Sequence, residues 1–225
     1  SNSFCTLLVA PLNAMPQPGA ALEQAMALKA AGNEAFAAGD FKRAVQQYKM
    51  VYFHVGTFGS KHKEHRTIMD KGMGADSNGG EMGLVGALGA SGSRQPPQPT
   101  AEPDLQKAID ELIATTYANL AMAQINLQRW DPALTACAIS LLYAPGNPKV
   151  LYRRGLALLG KGKSEEAIAA FEATLQLSPD DANAQQRLAE ARAQERAQLD
   201  KQKNAMKRMF GGVSGSSDGG DAAKA

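Results

Sequence analysis

Small and apolar residues recur at helical spacing from Leu28 onward. Leu28, Gly32, Ala35 and Phe36 line one face, and a Gly39-Asp40 turn follows. A second run carries Ala44, Val45, Tyr48, Val51 and Val55 about a helical turn apart. Together they predict a helix–turn–helix hairpin, with Gly32 and Ala44 small where the two helices must approach closely. Such a hairpin cannot bury its apolar face alone and needs neighbours stacked on it. Those neighbours are in the chain. Gly155, Gly162, Ala167, Phe171 and Pro179 repeat the pattern of Gly32, Gly39, Ala44 and Tyr48, and Ala121, Ala133, Cys137 and Pro145 repeat it between them. Aligned this way, the repeats begin near Ala25, Ala114 and Pro148.

The second and third repeats start 34 residues apart, whereas the first and second are 89 apart, so about 55 residues are inserted between them. A period of 34 with this Gly–Ala–Pro skeleton resembles the tetratricopeptide repeat (TPR). The Trp usual in that repeat is replaced by Leu28, Tyr117 and Leu151. The resemblance implies an all-α fold of three TPR hairpins in a right-handed superhelix, followed by a C-terminal extension helix. The hairpins are expected at 22–58, at 104–147 with an elongated first helix, and at 148–181. A basic helix is expected over 182–210, with seven Lys or Arg against three Asp or Glu between Arg187 and Arg208. Leu188 and Ala191 in its first part suit a cap on the last hairpin, and its far end should project.

The other segments read as unstructured. A flexible lead-in covers 1–21, broken by Pro11, Pro16 and Pro18, and a Gly/Ser-rich tail covers 211–225. The insertion, 59–103, is rich in Gly, Ser and Pro, so it is expected to be disordered and dispensable for folding. Two pieces of it, 61–66 and 82–88, are candidates to dock.

Charge and chemistry narrow the function. With 24 Lys or Arg against 22 Asp or Glu, the net charge of +2 argues against general nucleic-acid binding, which needs a concentrated basic surface. Cys5 and Cys137 are far apart, and Cys137 falls on a core position, so neither a disulfide nor a metal pair is indicated. No apolar run reaches the length of a membrane span. Nucleophile elbows and Walker-type loops are absent; Lys161-Gly162-Lys163-Ser164 contains GKS without the upstream glycine. His54, His62 and His65 lack accompanying ligands and read as solvated polar residues, and Trp130 reads as helix packing. No enzyme activity, cofactor or metal is therefore expected, and a cytoplasmic setting fits best.

Polar residues on the first helix of each repeat point to binding instead. Lys29 and Asn33 are four apart and share a helix face, Asn119 stands on the second repeat, and Lys149 and Arg153 are again four apart on the third. Three cations and two amides suit an extended peptide bearing carboxylates, to which they donate charge-assisted hydrogen bonds.

KxxGN at 29–33, Asn-Leu-Ala at 119–121 and KxxYRRG at 149–155 resemble the two-carboxylate clamp of TPR co-chaperones. In that family the matching residues grip the C-terminal Glu-Glu-Val-Asp tail of heat shock protein 90 and heat shock protein 70 class chaperones. The resemblance implies that Lys29, Asn33 and Asn119 hold the terminal main-chain carboxylate. Lys149 would take the aspartate side chain, with Arg153 assisting. YANLAMAQINLQRW and the tail QLDKQKNAMKRMF are also similar to FKBP-type immunophilins, and the long insertion to the tetratricopeptide repeat protein 9 family. The immunophilin likeness implies calmodulin as an alternative partner of the last helix. It also implies a proline-isomerase domain, for which the segment before Leu22 is too short; that domain is expected to be absent or to lie upstream.

Overall fold

The computed structural model describes residues 17–73 and 102–211. The lead-in before residue 17, the stretch 82–88 and the tail beyond 211 lie outside the described residues. Among those described, all regular structure is helical. They fall into two compact units, divided between Pro145 and Gly146.

The first unit begins with α1 (Pro18–Ala37) and α2 (Phe41–Val55). The sequence reading started the first hairpin at 22, but the helix starts at Pro18. A proline fits the first helical turn, where its missing N–H is not needed, and Ala21 is already buried. Asp40 caps α2 by accepting from the Arg43 backbone N–H at 3.0 Å. Gly32 is required by close approach: a Cβ there would lie 2.5 Å from Tyr48 Cε1. A 3₁₀ turn, Gly56–Phe58, then leads into α3 (His62–Met73). The unit is completed by α4 (Pro103–Asn126) and α5 (Trp130–Tyr143). α4 has the predicted extra length, and Ile109, Ile113, Leu120 and Ala121 along it are buried. Cys137 is fully buried and Trp130 half-buried.

Helix α3 corrects the reading of 59–103 as disordered, because its first part is an ordered element packed on α5. His65, taken as solvated, is fully buried. Its Nε2 lies 3.0 Å from the Tyr117 hydroxyl and its Nδ1 3.3 Å from that of Tyr143. The Tyr52 ring stacks over it at 3.9 Å between centroids. His62 also has partners, the Tyr52 hydroxyl at 3.1 Å and the Gly56 carbonyl at 2.9 Å. The hinge into α3 is tied down as well. Ser60 donates from its backbone N–H and its hydroxyl to the two Asp110 carboxylate oxygens, at 3.0 and 2.5 Å, and Lys61 Nζ donates to the Leu142 carbonyl at 2.6 Å. Composition averaged over the whole insertion hid this helix. His65, Ile68, Met69 and Gly72 follow helical spacing, and the key buried residue is a polar one satisfied by tyrosines.

The second unit holds α6 (Pro148–Gly160), α7 (Ser164–Leu177) and α8 (Ala182–Gly211). Asn147 caps α6 and Asp181 caps α8 through backbone N–H groups. A Cβ on Gly155 would lie 2.5 Å from Phe171 Cε1, matching Gly32 and Tyr48 in the first unit. Ala184, Leu188 and Ala191 of α8 are buried, so its first turns cover the last hairpin as expected. Arg192 bonds Glu172 at 2.8 Å, and Gln198 Nε2 donates to the Gly162 carbonyl at 3.2 Å. From Leu199 onward the described side chains are exposed.

Candidate functional site

Within the first unit, three of the five expected binding residues come together. α1 presents Lys29 and Asn33 from one face, and α4 presents Asn119 opposite them. Asn119 Nδ2 donates to Asn33 Oδ1 at 3.1 Å. Tyr48, rising from α2, donates its hydroxyl to the same oxygen at 2.8 Å. Lys29 Nζ donates to Thr115 Oγ1 at 2.6 Å, one turn before Asn119 on α4. Thr115 in turn donates back to the Glu111 and Leu112 carbonyls of its own helix.

Lys29 and Asn33 contribute donors to the arrangement. The ammonium of Lys29 has two hydrogens beyond the one given to Thr115, and Asn33 turns its carbonyl inward, leaving its NH₂. Partial burial lowers the Lys29 ammonium below its ordinary 10.5, through desolvation. A charge held partly out of water attracts an anion more strongly than a fully solvated one. Lys149 and Arg153 lie on α6 in the second unit, one turn apart, Lys149 exposed and Arg153 half-buried. The hydrogen-bonded group formed within the first unit consists of Lys29, Asn33 and Asn119, with Thr115 and Tyr48 as its supports.

Sequence reasoning passed over those two supports. Tyr48 looked like a core residue, which it also is, at 1% exposure. The available signal was its hydroxyl: at the matching position of the third repeat stands Phe171. Thr115 carried no signal, because its role depends on how α1 and α4 pack. Among the described residues, no group of three His, Cys, Asp or Glu is placed to hold a metal ion, and no helix is long and apolar enough to cross a membrane.

Comparison with known proteins agrees with this architecture. The family model described as tetratricopeptide repeat matches residues 148–181. Sperm-associated antigen 1 from Mus musculus is 40% identical over 77 residues, 34% of this chain and 8% of the relative. Peptidyl-prolyl cis-trans isomerase FKBP4 from Homo sapiens is 36% identical over 107 residues, 48% of this chain and 23% of the relative. The chain thus spans under a quarter of the length of either relative. Among solved structures, the second TPR domain of human RPAP3, in complex with the HSP70 peptide SGPTIEEVD, superposes with a TM-score of 0.50 at 22% identity. That match covers 78% of this chain and 98% of the domain, and at such identity it shows the fold.

Proposed function

We propose that the chain is a tetratricopeptide-repeat protein acting as a non-catalytic co-chaperone adaptor, one that binds the acidic C-terminal peptide of heat shock protein 70 or 90 class chaperones. One observation carries this reading: Lys29, Asn33 and Asn119 meet from two helices as a set of hydrogen-bond donors. Such a set fits a main-chain carboxylate, with its two oxygens and full negative charge. By the resemblance to the clamp family, Lys149 and Arg153 on α6 are further cations suited to acidic side chains. The human RPAP3 domain, similar in fold, is bound to a peptide ending in EEVD, which supports this choice of ligand. A cytoplasmic location accompanies the proposal, to be checked by imaging a tagged chain.

Fluorescence anisotropy with SGPTIEEVD, as free acid and as C-terminal amide, tests the reading. Affinity for the free acid should be roughly micromolar, or about −8 kcal/mol, since a short peptide loses ordering entropy on binding. One charged hydrogen bond contributes about 1.5–3 kcal/mol, so Lys29→Ala should weaken binding at least about tenfold. Lys149→Glu should weaken it more, by adding repulsion. Equal affinity for the two peptides would sink the clamp and leave a scaffold with an unassigned ligand.

A specific observation favours a second, accessory reading at the far end of α8. Leu199, Met206 and Met209 are 57%, 58% and 73% exposed, beside Lys203 and Lys207, a basic amphipathic surface of the kind calmodulin grips. Calcium-dependent retention of the full chain on calmodulin, lost in a Leu199→Asp/Met206→Asp variant, is the expected result; absence of retention removes this reading.

A further inference from the structure

We infer that Tyr48 is a positioning residue of the clamp, whose hydroxyl locks the Asn33 amide with its NH₂ end toward the ligand. The inference rests on the carboxylate reading above and adds to it the source of its selectivity. Asn33 Oδ1 accepts two hydrogen bonds, from the Tyr48 hydroxyl at 2.8 Å and from Asn119 Nδ2 at 3.1 Å. Those two bonds use both lone pairs of the oxygen. What remains of the Asn33 amide is a pair of N–H donors on an exposed side chain.

The chain contains its own control. In the third repeat Phe171 packs against Gly155 as Tyr48 packs against Gly32, each ring carbon 2.5 Å from where a Cβ would stand. An aromatic ring without a hydroxyl therefore fills this niche. The residue after Gly155 is Leu156, and after the equivalent Ala121 it is Met122. Leu156 cannot accept a hydrogen bond from a side-chain hydroxyl, and the Met122 thioether is only a weak acceptor. The hydroxyl occurs in the repeat where the next residue is asparagine, and the fully packed Tyr48 satisfies it on that asparagine.

The consequence is chemical. The Lys29 ammonium and the Asn33 NH₂ present donors, which suit the oxygens of a carboxylate but meet the NH₂ of a terminal amide with N–H against N–H. Rejection of the amide is thus built in by Tyr48 acting through Asn33. A free Asn33 amide would turn over and accept from such a ligand.

A double-mutant cycle on the full chain tests this, using Tyr48→Phe, Asn33→Ala and the double variant with SGPTIEEVD as free acid and as amide. Tyr48→Phe should weaken free-acid binding about five- to tenfold and narrow the preference for acid over amide. In the Asn33→Ala background the same substitution should change neither quantity, because its target is gone. Equal weakening in both backgrounds, or wild-type behaviour of Tyr48→Phe, overturns the inference while the clamp stands. Failure of Tyr48→Phe to fold by circular dichroism also overturns it, since the hydroxyl would then belong to the fold. Equal binding of acid and amide by the wild-type chain overturns the clamp reading itself, and this inference with it.

Discussion

Three turns close the hairpins, and one of them is strained. Gly39 and Gly162 sit at φ 78° and 81°, and their counterpart Gln128 sits at φ 57°. Each turn is closed by the same backbone bond: Asp40 N–H to Ala35 O, Arg129 N–H to Gln124 O, and Lys163 N–H to Leu158 O, all 2.9 Å. A left-handed conformation costs a residue with a Cβ about 1–2 kcal/mol, and glycine gives back about 0.5–1 in unfolded-state entropy. Gln128→Gly is therefore expected to stabilise the protein by up to about 1 kcal/mol, read as a higher midpoint in urea. His65 carries the second residue-scale prediction. Burial, aided by the neighbouring His62, holds its pKa down from 6.5 to about 3, so the fold keeps it neutral. The unfolded chain binds the proton first as pH falls. The stability His65 contributes is complete above about pH 6.5 and is lost at about 1.4 kcal/mol per unit as pH falls toward 3. Urea titrations at pH 7 and pH 5 should show this loss, and His65→Phe should show less of it.

At the scale of elements, α3 and the far end of α8 make opposite predictions. α3 covers Tyr117 and Tyr143, whose hydroxyls burial keeps strongly in the neutral form. Its Gly72 approaches Thr135 so closely that a Cβ would lie 2.5 Å from Oγ1. Replacing residues 60–73 with a Gly/Ser linker would expose these hydroxyls and the apolar surface around them. The expected cost is about 3–5 kcal/mol, a fall in melting temperature of about ten degrees or more. A change below about three degrees would show α3 to be decoration. Among the described residues, truncation after Gln198 removes only exposed side chains, so the melting temperature should stay within about two degrees of the full chain.

For the whole molecule, 24 basic against 22 acidic residues leave little net field to steer a partner. On the proposed reading, attraction for an acidic peptide comes from the few candidate cations, and exposed Lys149 lies within reach of salt screening. Raising salt from about 0.05 to 0.5 M should weaken SGPTIEEVD binding about three- to tenfold, because the Debye length shrinks to a few ångströms. A loss of several hundredfold would mean that binding is a general charge effect, outside the clamp.

Periodicity alone determined the hairpins here. Small residues at 32, 121 and 155, apolar faces at helical spacing, and turns at 39 and 162 leave few other ways to bury the chain, since these constraints are local. The identity of the candidate donors was legible for the same reason: Lys29 and Asn33 share a face by spacing. Helix α3 was not legible from composition, because whether a polar histidine is buried depends on tyrosines 52 and 78 residues away in sequence. The direction of the Asn33 amide was likewise undecided until Tyr48 and Asn119 converged on its oxygen. Local pattern says which residue types lie on a face; only the packing of one helix against another decides which atoms meet. A hydrogen bond requires about 3 Å and a defined direction, and no spacing rule along the chain carries that information.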